Sequence, residues 1–323
     1  MPPFLPKPKI MVFFTTFRCN LHCAMCYIWV KQKQSIELSI DEIKYIFSHR
    51  LINNNLEIIN ITGGEPTLRE DLVEIIKIIL EKCIYLKRID ISTNGVNTTQ
   101  IIDQFERILA ILLLTNVKLT VSISLDGVGE VHERVRQTQG VFDNIEKTID
   151  GLKELMTLYP FFNLGFNMTI NKLNYNAVEE VREYAKEKGI GLTFTLSSLS
   201  EIGVESIRFR EKFEMNQDQK EKVARFLEKL SYTGELDYRY FRFLLSWLLT
   251  GRRQGGCAFR KGGSLLLEPN GDMYLCGNYK EFRIDNLLDV PLGDRIIFKR
   301  SDFNKKYKLR CETCNSNCYI DEA

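Results

Sequence analysis

A chain of 323 residues, 44% hydrophobic and 27% charged, is long enough to bury a sizeable core, as one large domain with an appendage or as two domains. The 44 basic and 42 acidic residues leave a formal charge of +2, without the basic footprint of a nucleic-acid binder, so no nucleic-acid partner is expected. No segment approaches the ~18 unbroken apolar residues of a membrane span. The N-terminus, with Pro2, Pro3, Pro6 and Pro8 threaded by Lys7 and Lys9, has no apolar core like that of a signal peptide, so the expectation is a cytoplasmic protein that does not engage a membrane.

Along the chain, short apolar runs alternate with amphipathic stretches, and strands are expected from Ile10 to Phe14, Glu57 to Thr62, Arg88 to Thr93, Lys118 to Leu125, Asn163 to Ile170 and Leu192 to Leu196. Between them Leu72, Ile75, Ile76, Ile79 and Leu80 recur at helical spacing, as do Phe142, Ile145, Ile149 and Leu152. Ser39 with Glu42 reads as a capping box, and Gly189 suits the left-handed residue after a helix. Six β-α repeats imply an α/β fold with a parallel sheet and right-handed crossovers. The apolar runs predict helices over one face of that sheet and a filled opposite face. A barrel, open or closed, and a doubly wound sheet both satisfy the pattern. After Ser200 a polar insert precedes helices expected from Gln217 to Leu230 and Tyr240 to Leu249. Ser264 to Glu268 and Met273 to Cys276 flank Pro269-Asn270-Gly271-Asp272, a strong hairpin signal. The tail beyond Phe298 is poor in core residues and rich in cysteine, so metal is expected to hold it. The chain divides into residues 1–200, a helical connector over 201–254, and a C-terminal unit over 255–323.

Nine cysteines are grouped rather than scattered, and without export signals such groups point to reduced thiols that hold metal. Only Cys83 stands alone, among Leu80, Ile84 and Leu86, as a small buried hydrophobe. Cys19-Asn-Leu-His-Cys23-Ala-Met-Cys26 follows directly on the first strand. Three thiolates in so short a loop can cap three corners of a cubane and leave one iron open to an external chelator. Zinc held by three cysteines and His22 is the alternative, although His22 adjoins Cys23 and would have difficulty reaching the same ion.

The C-x3-C-x2-C triplet followed by aromatic Tyr27 resembles the hallmark of radical S-adenosylmethionine (SAM) enzymes. That resemblance implies a [4Fe-4S] cluster on Cys19, Cys23 and Cys26 with SAM on its open iron. Reductive cleavage then makes a 5'-deoxyadenosyl radical that takes hydrogen from substrate, with electrons from a donor such as flavodoxin or ferredoxin. Thr62-Gly63-Gly64-Glu65-Pro66 matches the family's GGEP motif, which receives the methionine amino group; on this reading a β-carbon on either glycine would crowd that amine. Ser92, Asn94, Ser124 and Asp126 end the third and fourth strands, where the resemblance assigns ribose and carboxylate contacts, though plain turn capping would also explain them. His132-Glu133-Arg134-Val135-Arg136 is similar to the H-D-x-x-R segment of members with auxiliary clusters, with Arg136 as the carboxylate-binding candidate. Asn167 is a weaker candidate for the adenosyl group.

Cys257, Cys276, Cys311, Cys314 and Cys318 resemble the C-terminal twitch and SPASM extensions, and five thiols suit the single-cluster twitch form better than the seven-cysteine SPASM form. The resemblance thus implies a partial (β/α)6 TIM-like barrel with a small hairpin-plus-helix extension. An auxiliary [4Fe-4S] cluster is expected on Cys257, Cys276, Cys311 and Cys314, with Cys318 spare, substituting for one of the tail ligands or close to the cluster, and, if spare, the cysteine most available to return hydrogen in catalysis. Structural zinc is the alternative here too. The first strand begins near Ile10, without the N-terminal module that some peptide-modifying members use to grip a leader, which favours oxidation of a small molecule. Peptide or protein side-chain maturation by oxidation, epimerisation or cross-linking, with recognition by a partner or by the insert over 199–215, is the second reading. A non-catalytic iron-sulfur or zinc scaffold is the third.

Overall fold

The computed structural model describes residues 7–34, 36–197, 213–234, 238–294 and 311–316. Most of the insert, most of the tail beyond Phe298, and Cys318 lie outside the described residues. Six parallel strands form in sequence order: β1 (Ile10–Thr16), β2 (Ile58–Gly63), β3 (Arg88–Thr93), β4 (Lys118–Ser124), β5 (Phe162–Ile170) and β6 (Gly191–Leu196). Each strand neighbours the one before it in the chain, so the order never reverses as it does in a doubly wound sheet. The sheet is the open, partial form of a TIM-like barrel.

Helices cover its outer face. Phe105 and Ile108 of the helix Thr98–Leu112, with Ile145 and Ile149 of the helix Val141–Leu158, share one fully buried core with Ile59, Ile61, Ile89, Ile91, Val121 and Ile123 from the strands. Alternation along each strand turns the intervening residues inward. There the sequence-based expectation of a filled apolar face is overturned: Asn60, Asp90, Thr120, Ser122, Asn167 and Thr193 line a cavity of about 840 Å³. Ladder register sets Asn60 beside Asp90, Asp90 beside Thr120, and Ser124 beside Asn167. Only every second residue of these strands is strongly apolar, so helices are needed on one face alone. The capping box forms as read, with Ser39 accepting from the Glu42 amide and Glu42 accepting from Ser39.

The hairpin is joined to this sheet. β7 (Ser264–Leu267) pairs in parallel with β1, from Ile10 opposite Ser264 to Phe13 opposite Leu267. β8 (Asp272–Tyr274) and β9 (Arg283–Asn286) continue antiparallel, making nine strands in one sheet among the described residues. Gly271 makes the turn at φ +90°, where a β-carbon would stand 2.8 Å from Asn286 Oδ1. Among the described residues no helix is long and apolar enough to cross a membrane.

Phe13 is fully buried on the outer face, its ring 5.8 Å from that of Phe47. Phe13→Ala is expected to cost about 3–5 kcal/mol, read as a lower denaturant midpoint, while Leu114→Ala at a 92% exposed position should leave the midpoint nearly unmoved.

Candidate active site

The cysteine loop leaves the C-terminal end of β1 and is pinned by a hydrogen bond from the Ala24 amide to the Val135 carbonyl, 2.8 Å. Cys19, Cys23 and Cys26 gather with Leu21 and Val141 in a small apolar group. Burial pushes the Cys19 thiol up to about 12 and the Cys26 thiol up to about 11, and the charge of Cys23 adds to both shifts. Trp29 Nε1 donates to the Cys26 carbonyl at 2.6 Å, and buried Tyr27 stacks toward Trp29 and Phe213. His22 is exposed, with its ring edge-on to Trp29 at 4.8 Å. Among the described residues no three His, Cys, Asp or Glu side chains converge as they would on a single ion.

The Gly63-Gly64-Glu65 turn closes against the start of this loop. The Gly64 amide donates to the Thr16 carbonyl and the Glu65 amide to the Arg18 carbonyl, both at 2.8 Å. A β-carbon on Gly64 would lie 2.0 Å from the Arg18 oxygen, and one on Gly63, at φ +129°, 2.3 Å from the Thr16 oxygen. The chain's own backbone thus already excludes a side chain at either glycine, independently of any contact with methionine. Glu65 is buried, and its carboxylate accepts from the Asn94 amide at 2.7 Å, Thr67 Oγ1 at 2.7 Å, Thr93 Oγ1 at 2.9 Å and the Thr67 amide at 3.2 Å. Burial raises its pKa, and these donors, the Asn94 amide first, oppose the rise. Glu65 thus ties the ends of β2 and β3 together, and Pro66 opens the short turn behind it.

The three thiols, Tyr27, Gly63, Gly64, Glu65, Ser92, Asn94, Ser124 and Arg136 line one cavity of about 410 Å³ at the C-terminal ends of the strands. Pro66 and Asp126 stand behind it, and Asn167 faces the larger lumen instead, its Nδ2 3.5 Å from Thr195 Oγ1. Arg136 is buried, with Nη2 2.7 Å from Asp126 Oδ2 and Nη1 donating to Cys23 Sγ at 3.4 Å. Burial opposes its charge, but Asp126 and Cys23 more than restore it, and the guanidinium stays ionised. Asp126 is fully buried and also accepts from the Thr169 amide at 2.7 Å; burial pushes its carboxyl upward against the pull of Arg136.

The C-terminal thiols form a second group. Burial pushes Cys276 and Cys311 up to about 12 and raises Cys257, and the charge of Cys314 adds to all three. Cys318 lies outside the described residues. A cavity of about 300 Å³ touches Cys314 on one side and Met25 of the cysteine loop on the other, and Met25 and Ser197 also line the cavity at the first thiols. Asn278 and Arg253, which sequence reasoning missed, hold this second group. The only signal was that Asn278 falls two residues after a ligand candidate. Cys83, in contrast, is buried in the main core.

Buried thiols thus face an open cavity at the C-terminal edge of a partial barrel. Residues 13–185 match the Radical SAM superfamily, and the chain belongs to it. It is an enzyme of that superfamily, whose members bind a [4Fe-4S] cluster and SAM, which sets aside the scaffold reading. It is 32% identical over 185 residues to Fe-coproporphyrin III synthase of Methanosarcina barkeri (strain Fusaro / DSM 804), an alignment covering 57% of this chain and 42% of that protein. It is 25% identical over 320 residues to the antilisterial bacteriocin subtilosin biosynthesis protein AlbA of Bacillus subtilis (strain 168), covering 98% of this chain and 65% of that protein. The chain thus spans less than two thirds of either relative. Native anSMEcpe with bound AdoMet and Kp18Cys peptide has the same fold, with a TM-score of 0.63 and 22% identity over 92% of this chain and 82% of that one.

Gly64→Ala is expected to lower the melting temperature of the iron-free protein, because the added methyl group would strike the Arg18 carbonyl whether or not SAM is present. An unchanged melting temperature with lost SAM cleavage would return the glycine to a role against methionine alone.

Proposed function

We propose that this chain oxidises a small molecule by hydrogen abstraction. Cys19, Cys23 and Cys26 would hold the SAM-binding [4Fe-4S] cluster, and Cys257, Cys276, Cys311 and Cys314 an auxiliary [4Fe-4S] cluster, fed by a donor of the flavodoxin or ferredoxin kind in the cytoplasm. Residues 1–200 then act as the radical SAM barrel, 201–254 as connector and 255–323 as the auxiliary unit. The observation that carries the reading is the shared lining: Met25 and Ser197 join the cavity at the first thiols to the one at Cys314, and Ser124 and Thr195 join it to the lumen.

When bound, a cluster with SAM supplies the electron and the 5'-deoxyadenosyl radical. The chain does the rest. Cys19, Cys23 and Cys26 would offer thiolates to the cluster, and the charged Arg136 works against the upward push of burial on the Cys26 thiol. Ser92, Asn94 and Ser124 present hydrogen-bonding groups at the strand ends, where ribose and methionine are read to lie. Leu21 and Val141 keep water from the thiols. The lumen below, where amides and hydroxyls stand with Val12, Phe14, Phe259 and Leu266, fits a small substrate with both hydrogen-bonding and apolar parts. Maturation of a peptide is the second reading, favoured by the 98% of this chain that aligns with AlbA, named for subtilosin biosynthesis.

Reconstituted without oxygen, the protein is expected to bind about eight irons and to release 5'-deoxyadenosine on reduction with SAM. Replacing Cys19, Cys23 and Cys26 together with alanine should leave about four irons and no deoxyadenosine; full iron would sink the first assignment, and stoichiometric zinc at the C-terminal thiols the second. Cys276→Ala should keep deoxyadenosine formation but abolish product, with Cys318→Ala reducing product less. Product formed at the parent rate by Cys276→Ala would refute oxidation through the C-terminal group. Solvent deuterium in the product, lost in Cys318→Ala, would show epimerisation instead.

A further inference from the structure

Asn278 belongs to no motif discussed above, yet it touches two of the C-terminal thiols. Its main-chain N–H donates to Cys276 Sγ at 3.4 Å, and its side-chain Nδ2 donates to Cys314 Sγ at 3.5 Å and also to Ser316 Oγ. It is 8% exposed, and it lines both the cavity beside Cys314 and the lumen. One residue therefore joins thiols from the hairpin and the tail and forms part of the wall between them and the lumen. Arg253 serves as a frame: Nη2 holds the Gly256 carbonyl at 2.8 Å, the guanidinium lies 4.7 Å over the Phe243 ring, and its approach to Cys314 Sγ is 4.0 Å. Asn278 makes the shorter, more direct contacts.

We infer that Asn278 is a positioning residue that sets the reduction potential of the metal group held by the C-terminal thiols, an inference that rests on the auxiliary-cluster reading above. Hydrogen bonds to ligating sulfurs draw electron density from them, stabilise the reduced form and raise the potential. Asn278 supplies two such bonds from within the wall of the lumen, its main-chain N–H to Cys276 and its side-chain amide to Cys314, and the side-chain bond is the one a substitution can remove. The residue is neutral, so it raises the potential without adding a charge that a substrate would meet.

The test is a potentiometric titration, followed by electron paramagnetic resonance, of the anaerobically reconstituted parent, Asn278→Leu and Asn278→Asp. Both variants approximate the size of the asparagine and keep its main-chain N–H, but lose the side-chain donor. The expected result is about eight irons in all three proteins, with the midpoint of the C-terminal cluster shifted to more negative potential in both variants. The shift should be larger for Asn278→Asp, which adds negative charge, and the cluster on Cys19, Cys23 and Cys26 should not move. Full iron with an unmoved midpoint in both variants overturns the inference. So does loss of the second cluster from both, which would make the residue merely structural; if only one variant loses it, the midpoint of the other decides. A parent holding about four irons would instead remove the auxiliary-cluster reading itself, and the inference with it.

Discussion

The site depends on how closely the turn after β2 approaches the residues that lead from β1 into the cysteine loop. Two amides, of Gly64 and Glu65, reach the carbonyls of Thr16 and Arg18 at 2.8 Å, and that approach exists only because positions 63 and 64 have no side chain. The same turn aims Glu65 at the end of β3, where a carboxylate with four donors replaces water that the buried position excludes. Three strand ends and the cysteine loop are thereby held as one piece before any cofactor enters. A site that must hold a large group against water gains from such preorganisation, because ordering the loop is not charged to binding.

The buried Asp126–Arg136 pair extends this frame to β4 and β5. A lone arginine at that depth would carry a heavy desolvation cost, and Asp126 offsets it while its other oxygen holds the Thr169 amide. The fixed guanidinium then faces Cys23, so positive charge stands beside that thiol. Arg136 therefore works from the cysteine side of the cavity in this structure, whichever further contact a bound carboxylate makes with it.

Much of this arrangement was legible in the sequence, and what was not has particular physical causes. The six strands could be read because each is short, apolar on one face and separated by helical periodicity. The polar lumen was missed because Ile59, Ile61, Ile89 and Ile91 dominate their runs, so that Asn60 and Asp90 between them looked incidental. That glycine was required at 63 and 64 could be read, but not what excludes a side chain, since spacing along the chain cannot show that Arg18 folds back onto Gly64. The pairing of β7 with β1 joins residues more than 250 positions apart, beyond the reach of any local pattern. β9, with charged Arg283 and Asp285 among its four residues, carries no strand signal of its own.

The pairing of β7 with β1 also bears on how the two thiol groups work together. A cluster-binding appendage on a flexible linker would leave their separation to chance. Here β7, which follows Cys257, is hydrogen-bonded along β1, and β8, which leads to Cys276, is paired with β7, while the other end of β1 launches the loop carrying Cys19, Cys23 and Cys26. Lys31, just beyond that loop, pairs with buried Glu268 of the hairpin at 3.1 Å while its ammonium lies over the Phe17 ring. Burial raises the Glu268 pKa and Lys31 pulls it back, so removing half-exposed Lys31 would leave the buried Glu268 carboxyl without its partner. One sheet and one ion pair thus fix the hairpin thiols relative to the first group.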